Sequence, residues 1–150
     1  MLLGWLSHYL TGRRQRTKVN GVFSEWANVT SGIPQGSILG PTLFILFIND
    51  LPSVIQTCKI SIFADDAKLF FCFRKGSSSC DLLHDLAKIK EWVARWQLEL
   101  SEGKCSILHI GGSNPVAEYC LGATALNSVQ NQRDLGVYVS SNLKFHFHIG

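Results

Sequence analysis

The paired cysteine spacing that builds disulfide frameworks or zinc sites is missing from this 150-residue sequence. Its five cysteines are an odd number, and no C-x-x-C pair occurs among them. Disulfide-stapled domains and structural zinc sites both need paired cysteines. We therefore expect free, buried thiols in a reducing compartment at Cys58, Cys72, Cys80, Cys105 and Cys120.

A long hydrophobic run is missing as well. The richest apolar stretch, residues 38–48, is shorter than the roughly 20 residues that span a bilayer, and it contains Pro41. The apolar start, Met1 to Leu10, lacks the basic beginning and the cleavage site of a signal peptide. These absences predict a soluble intracellular protein with no membrane partner, in either nucleus or cytoplasm.

Acidic residues are absent from the first 24 positions, which instead carry a basic cluster of Arg13, Arg14, Arg16 and Lys18. The net charge of +3 is too small to indicate a polyanionic partner by itself. The cluster leads into Asn20-Gly21, which predicts a hairpin turn with Val22 to Val29 returning. Two interpretations remain open: a solvated edge strand protected by its charges, or a strand that contacts phosphates.

Three segments have helical patterns, and 46% hydrophobic residues are enough for a core. The first is a core helix from Leu2 to Leu10. The second follows Pro41 and is apolar nearly all round, which predicts burial. The third begins at a capping box, Ser78 with Asp81. We expect it to pack on the face of the sheet that carries the Asp65–Asp66 hairpin, with a partner-binding surface as the alternative, through the stripe of Leu82, Leu86, Ile89, Val93, Trp96 and Leu100. Short strands at Cys105–Ile110 and Leu135–Val139 complete an α+β fold.

The stretch from Ser31 to Pro41, S-G-I-P-Q-G-S-I-L-G-P, predicts a shaped loop. Three glycines and two prolines in eleven residues cannot continue a helix or a central strand. Glycine lets a ligand approach the backbone closely, and Gln35 can hydrogen-bond a base or sugar edge. A loop without a binding role would explain the glycines equally well.

Asp65 and Asp66 are adjacent carboxylates between two apolar runs, Ile60–Phe63 and Leu69–Phe73, whose β-branched and aromatic content predicts a hairpin. One interpretation is a polar turn, since Asp favours turns. The other begins from the repulsion between neighbouring carboxylates, which a divalent cation would relieve. Hard oxygen ligands suit Mg²⁺, usually with substrate phosphates. His146 and His148 in the tail form a weak metal pattern, because no further ligands accompany them.

Four blocks, in order, resemble the reverse transcriptases of non-long-terminal-repeat (LINE-type) retrotransposons. The first is S-G-I-P-Q-G-S-I-L-G-P-x-L-F-x-x-x-I-N-D-L at Ser31 to Leu51, and the second is F-A-D-D at Phe63 to Asp66. The third is W-x-x-x-W-x-L-x-L-x-x-x-K-C at Trp92 to Cys105. The fourth is L-G-V at Leu135 to Val137, followed by S-S-N-L-K-F-x-x-H-I. Together the blocks cover most of the chain.

The resemblance implies a polymerase palm, an antiparallel sheet backed by helices, with incomplete fingers and the start of the thumb. Residues 1–30 would form a helix and the basic hairpin, residues 31–110 the palm core, and residues 111–150 the primer-grip-like and thumb-start region. The implied partners are an RNA template, a DNA primer and deoxynucleotide triphosphates. The implied cofactor is a pair of Mg²⁺ ions flanking the reacting phosphate.

The resemblance also assigns roles to residues. Asp65 would be the principal metal ligand and Asp66 its supporting neighbour, with Lys104 near the pyrophosphate leaving group. Contacts to nucleotide or template are implied for Gln35, Gly36, Arg13, Arg14 and Arg16.

Two departures from the family pattern set a further expectation. Ser101 stands where the family usually has Asn. A second metal-binding aspartate, in an upstream block like F-x-x-A-F-D, has no counterpart in these 150 residues. We therefore expect an incomplete two-metal site, little or no polymerase activity in the isolated chain, and an open sheet edge that favours self-association.

Three alternatives remain open from the sequence. One is a non-catalytic nucleic-acid-binding or interaction module derived from a retroelement. Another is an unrelated metal hydrolase at Asp65 and Asp66, which would need further ligands. The third is an incomplete gene model or a decayed element with no separate role.

Overall fold

The structure, a computed structural model, describes residues 1–74 and 77–144. The chain divides into two compact units, Met1–Asn49 and Asp50–Gly150. The tail histidines, His146 and His148, lie outside the described residues.

Helix α1 opens the first unit and spans Leu2–Leu10, as predicted. Its expected burial is wrong, since no residue of α1 is buried and Leu2 and Leu3 are 70% and 82% exposed. The apolar spacing sets where the helix forms, but burial needs a neighbouring surface, and within the described chain α1 has little.

The basic segment forms the predicted hairpin. Strand β1 (Arg14–Gln15) pairs antiparallel with β4 (Ala27–Asn28), and β2 (Lys18–Val19) pairs with β3 (Val22–Phe23). Asn20 and Gly21 form the turn with φ of 49° and 85°, the left-handed conformation that favours Asn-Gly.

Helix α2 spans Leu39–Ile48, so it begins two residues earlier than Pro41. A proline fits there because the first-turn amides of a helix have no intrahelical acceptor. The prediction of a buried helix is wrong: only Gly40 and Ile48 are buried, while Ile45 and Leu46 are 57% and 68% exposed.

The second unit begins with a 3-10 helix, Leu51–Val54, and the hairpin of β5 (Lys59–Phe63) and β6 (Asp66–Phe70). The hairpin was predicted, but its second strand starts three residues earlier and ends before Phe71. The two-residue turn sets this register by placing Phe63 opposite Asp66.

Helix α3, Ser79–Arg95, begins at the predicted capping box. The Ser78 amide donates to Asp81 Oδ2 at 3.1 Å, and Ser78 Oγ accepts from the Cys80 amide at 3.1 Å. The helix ends before Leu100, because the chain turns at Gln97, whose φ is 55°.

The core of the second unit lies along α3. Ile89 and Val93 are buried as predicted, together with Trp92 and Asp85. The main neighbours of α3 are the first 3-10 helix and β8 (Cys120–Leu121), instead of the predicted face of the β5–β6 hairpin. Leu51, Tyr119 and Leu121 complete this core.

A second 3-10 helix, Glu102–Lys104, leads into β7 (Ser106–Leu108), which pairs in parallel with β10 (Asn127–Val129). Strand β8 pairs with β9 (Thr124–Ala125), and β11 (Asn131–Asp134) pairs with β12 (Val137–Ser140). The predicted strand from Leu135 is therefore wrong at its start, since Leu135 and Gly136 form a turn with φ of 45° and 86°.

The mixture of helices and small sheets confirms the α+β class. Across residues 1–74 and 77–144 the strands form six separate two-stranded sheets, and no continuous antiparallel sheet occurs there.

The five thiols are free, as predicted, but none is buried: Cys58 and Cys105 are half-buried, and the other three are exposed. Within the same residues, no helix is long and apolar enough to cross a membrane.

Candidate functional site

The two candidate metal ligands lie at the end of the β5–β6 hairpin. Ala64 and Asp65 form its turn, and Asp66 is the first residue of β6, opposite Phe63. Ala64 has φ of 52°, a left-handed conformation that costs a non-glycine residue on the order of 1 kcal/mol. Opposite residues of an antiparallel pair share a face, so Asp66 lies on the face of Phe63, Ser61 and Lys68.

Both carboxylates are solvent-exposed, and neither makes a hydrogen bond or ion pair with any residue in the described part of the chain. Lys68 lies two residues beyond Asp66 on the same face, yet its ammonium pairs with Asp134 on β11. The nearest basic side chain in the sequence therefore does not neutralise the hairpin carboxylates.

Asp85 on α3 anchors the segment that enters β5. Its Oδ1 accepts from the Gln56 amide at 2.9 Å, and its Oδ2 accepts from the amides of Thr57 and Cys58 at 2.9 and 2.7 Å. The Thr57 hydroxyl also donates to Oδ2, at 2.8 Å. These four bonds fix the start of the strand that carries the hairpin carboxylates.

The surroundings of Asp85 set two pKa values. Burial alone would raise the pKa of Asp85. Hydrogen bonds from the backbone amides of residues 56–58 and from the Thr57 hydroxyl outweigh burial and hold this pKa well below its usual range. The pKa of the Cys58 thiol is raised to about 12, first by burial and then by the adjacent Asp85 carboxylate.

Lys104 ends the second 3-10 helix, where its amide donates to the Ser101 carbonyl at 2.8 Å. Neighbouring Glu102 accepts from Lys90 of α3 at 2.8 Å and from the Thr124 hydroxyl, and these bonds lower the pKa of Glu102. The Lys104 ammonium is exposed and has no partner among residues 1–74 and 77–144. Helix α3 thus fixes both the hairpin and the element that carries Lys104.

Gln35 and Gly36 occupy the centre of a turn in the first unit. The Ser37 amide donates to the Pro34 carbonyl at 3.2 Å, and Gly36 has φ of 78°, the conformation that favours glycine at this turn position. Gln35 is exposed, so its amide is free to meet a ligand. Ser37 Oγ accepts from the Gly40 amide at 3.0 Å and joins the turn to α2.

The basic cluster separates into two parts. Arg13 is occupied within the protein, since its Nε donates to the Leu10 carbonyl at 2.9 Å and its Nη2 contacts the carbonyls of Ser31 and Gly32. This geometry gives Arg13 a role in tying the end of α1 to the following loop.

Arg14, Arg16 and Lys18 instead lie over aromatic rings. The Arg16 guanidinium carbon is 3.8 Å from the Phe23 ring centroid and 4.6 Å from that of Trp26. Arg14 lies over Trp26 at 5.3 Å, and Lys18 lies over Phe23 at 4.9 Å. We call these five side chains the basic-aromatic face.

The donor set at the hairpin fits a divalent cation in part. Asp65 and Asp66 supply hard, exposed oxygens that form no ion pair within residues 1–74 and 77–144, which suits an ion completed by water and phosphate. No group of three or more His, Cys, Asp or Glu side chains with metal-binding geometry occurs among the described residues. The fit is therefore that of a partial site.

Sequence reasoning missed Asp85, the Lys68–Asp134 pair and the aromatic part of the basic-aromatic face. The sequence could have pointed to Asp85, because a carboxylate within the apolar stripe of a helix is expected to be buried and then needs hydrogen-bond partners. Lys68 and Asp134 are 66 positions apart, and nothing local in the sequence joins them.

Comparison with known proteins gives a consistent result. The family described as reverse transcriptase (RNA-dependent DNA polymerase) matches residues 1–145. A probable RNA-directed DNA polymerase from transposon X-element of Drosophila melanogaster is 34% identical over 106 residues, covering 67% of this chain and 12% of that protein. No solved structure matches the chain.

Two further relatives match nearly the whole chain. An RNA-directed DNA polymerase from mobile element jockey of Drosophila funebris is 27% identical over 156 aligned positions, covering 96% of this chain and 17% of the relative. A putative 115 kDa protein in type-1 retrotransposable element R1DM of Drosophila melanogaster is 30% identical, and the match covers 98% of this chain and 15% of that protein. The chain thus spans less than a fifth of the length of these relatives.

Proposed function

The chain belongs to the reverse transcriptase (RNA-dependent DNA polymerase) family, and from this membership we propose that it contributes the metal-binding hairpin of an enzyme that extends a DNA primer on an RNA template. The observation that carries the proposal is the pair of exposed carboxylates, Asp65 and Asp66, at the end of a hairpin within the matched region. Neither forms an ion pair with another described residue.

Each side chain has a proposed task in nucleotidyl transfer. Asp65 is the principal ligand and Asp66 the supporting ligand for Mg²⁺, which when bound lowers the pKa of the primer 3′-hydroxyl and neutralises triphosphate charge. Lys104 offers a compact positive charge to the departing pyrophosphate. Its ammonium is exposed and forms no ion pair in the part of the chain that the structure describes, which supports this role.

We propose that Gln35 and Gly36 contact the incoming nucleotide or the template. The glycine-shaped turn exposes the Gln35 amide and leaves the backbone accessible. Among the arginines, Arg14 and Arg16 are the stronger candidates for template contact, because the polar atoms of Arg13 already bond backbone carbonyls.

We propose that residues 31–110 form the palm part of this domain and that the β11–β12 hairpin belongs to a primer-grip-like region. The ion pair between Lys68 and Asp134 joins β6 to β11, which supports a shared role for the two hairpins. Open sheet edges and exposed apolar helices also favour self-association of the chain.

We further propose that residues 1–150 by themselves have little polymerase activity. The two hairpin carboxylates are only part of the ligand set that two metal ions need. A non-catalytic nucleic-acid-binding role is the second candidate, favoured by the unneutralised cations of the basic-aromatic face.

The first experiment measures Mn²⁺ binding to the chain by calorimetry. We expect weak binding that Asp65→Asn reduces at least tenfold, since a carboxylate ligand loses its charge. Glu99→Gln, at an exposed position outside the hairpin, is the matched control and should bind normally. Equal binding by the parent chain and Asp65→Asn would contradict the metal assignment.

The second experiment measures primer extension on an RNA template with Mg²⁺ and deoxynucleotides. We expect no extension by residues 1–150 alone, and extension by a chimera in which the upstream segment of a jockey relative precedes them. Asp65→Asn should abolish this activity and Glu99→Gln should not. Activity that persists in the Asp65→Asn chimera would refute the catalytic assignment.

A further inference from the structure

The segment that carries the basic-aromatic face concentrates the net charge of the protein. Residues 1–49 contain four Lys or Arg residues and a single acidic residue, Glu25, whereas residues 50–150 contain ten basic and ten acidic residues. All four basic residues of the first unit lie between Arg13 and Lys18. A polyanion would therefore be attracted to this hairpin.

The cations of this face are held in place but not neutralised. Among residues 1–74 and 77–144, the ion pairs involve other residues, and none involves Arg14, Arg16 or Lys18. The rings of Phe23 and Trp26 hold them through cation–π contacts, which orient a cation without cancelling its charge. The face can accept phosphate groups without first breaking an ion pair.

The rings themselves remain accessible. Phe23 is 48% exposed and Trp26 is 52% exposed, although both are large apolar side chains. Exposed aromatic rings beside unpaired arginines are the combination that binds unpaired nucleotides, because bases stack on the rings while cations contact the backbone. A duplex buries its base faces in its own stack and offers little for Trp26 to contact.

We propose that the basic-aromatic face binds single-stranded polynucleotide, with Trp26 as the main base-stacking platform and Arg14, Arg16 and Lys18 as the phosphate contacts. This inference rests on the proposed function only for the identity of the strand, an unpaired stretch of template. The binding itself requires neither Asp65 nor a metal ion.

The test is fluorescence anisotropy with the full 150-residue chain. The probes are a labelled, unstructured 16-nucleotide RNA, the DNA strand of the same sequence, and a blunt RNA duplex, each titrated between about 50 and 200 mM salt. We expect both single strands to bind at least tenfold more tightly than the duplex. Base stacking contributes about 1–3 kcal/mol per base, so Trp26→Ala should weaken single-strand binding about 5- to 150-fold.

Matched variants separate stacking from charge. Trp5→Ala removes a tryptophan of similar exposure, 50%, on α1 and should leave binding unchanged. Trp26→Phe should restore most of the affinity lost in Trp26→Ala. Arg14→Gln with Arg16→Gln should reduce the salt slope by about 1.4, since each phosphate contact on a single strand contributes about 0.7.

Some outcomes would overturn the inference. Equal affinity for single strand and duplex, or an equal loss in Trp5→Ala and Trp26→Ala, would show that the face is not a stacking platform. Asp65→Asn should bind RNA normally. Failure of the chimera with unchanged Asp65 to extend primers, while single-strand binding is intact, refutes the proposed function alone. Equal binding of single strands and duplex by a chain whose chimera still extends primers refutes this inference alone.

Discussion

At the scale of single residues, Asp85 is the position where the described structure buries a charged side chain. It is fully buried, and its carboxylate accepts four hydrogen bonds from the segment Gln56 to Cys58. A buried charge is tolerated only when such bonds replace its hydration. The same bonds connect α3 to the strand that carries Asp65 and Asp66.

Replacing Asp85 with Asn should destabilise the chain by about 2–4 kcal/mol at pH 7, because charge-assisted bonds are lost and an amide donor meets backbone donors. Urea denaturation measures this difference. Glu91→Gln, an exposed position on the same helix, is the control and should change stability by less than about 0.5 kcal/mol.

The stability difference should also depend on pH. The folded-state pKa of Asp85 lies below its unfolded value of about 3.9. The stabilisation is therefore complete above about pH 5 and is lost as pH falls through the unfolded pKa toward the folded pKa. The gap between parent and Asp85→Asn should narrow between pH 5 and pH 3, and a constant gap would argue against a charged Asp85.

Cys58 should be the least reactive of the five thiols toward iodoacetamide. Its pKa of about 12 leaves little thiolate at pH 8, and partial compensation by nucleophilicity gives an expected rate about 30- to 100-fold below that of the exposed Cys72 and Cys120. Peptide mass spectrometry of the alkylated chain measures each rate. Comparable rates for Cys58 and Cys72 would contradict the raised pKa.

At the scale of elements, α3 organises the second unit. Asp85 accepts from the backbone just before β5 and so fixes that segment. Lys90 donates to Glu102 and so fixes the second 3-10 helix, whose last residue is Lys104. The capping box and the apolar spacing of this helix were predictable, because they are local features. Its neighbours were not, since the same stripe can pack on a sheet face or on the 3-10 helix and short strand found here.

The Lys68–Asp134 pair should couple two hairpins. Both side chains are 31% exposed, so a double-mutant cycle with Lys68→Gln and Asp134→Asn should give a coupling free energy of about 0.5–1 kcal/mol. The exposed pair of Lys88 and Glu91 on α3 serves as the reference cycle, with an expected coupling near 0.3 kcal/mol. Zero coupling between Lys68 and Asp134 would mean that β6 and β11 are not held together by this contact.

At the scale of the whole molecule, apolar surface is left uncovered. Leu3 on α1 is 82% exposed and Leu46 on α2 is 68% exposed, which is unusual for helices this hydrophobic. The chain covers 12–17% of the X-element, jockey and R1DM relatives described above. We propose that such surfaces and the open sheet edges favour association between copies in solution.

Sedimentation velocity should therefore show concentration-dependent association of residues 1–150. The double substitution Leu3→Gln with Leu46→Gln should weaken it at least tenfold, because each exposed leucine contributes about 1.5–3 kcal/mol when covered. Leu143→Gln, at a position 54% exposed in the second unit, is the control. If the double variant associates as strongly as the parent, sheet edges rather than helices mediate contact.

The sequence alone determined the local features of this protein. Asn20-Gly21 fixed a hairpin, Ser78 with Asp81 fixed the start of α3, and the apolar runs around Asp65 and Asp66 fixed the second hairpin. Each depends on backbone preferences and hydrogen bonds within a few residues. The four-block resemblance also identified the reverse transcriptase family, which the family comparison confirmed.

Only the tertiary structure decided which side chains are buried, paired or available. Apolar spacing does not show whether a covering surface exists, so the burial of α1 and α2 was wrongly predicted. The charge of a side chain does not show which groups it contacts in the folded protein. Arg13 was therefore grouped with Arg14 and Arg16, although it donates to backbone carbonyls. Contacts such as Lys68 with Asp134, or Asp85 with Thr57, join distant positions, and only the folded chain brings them together.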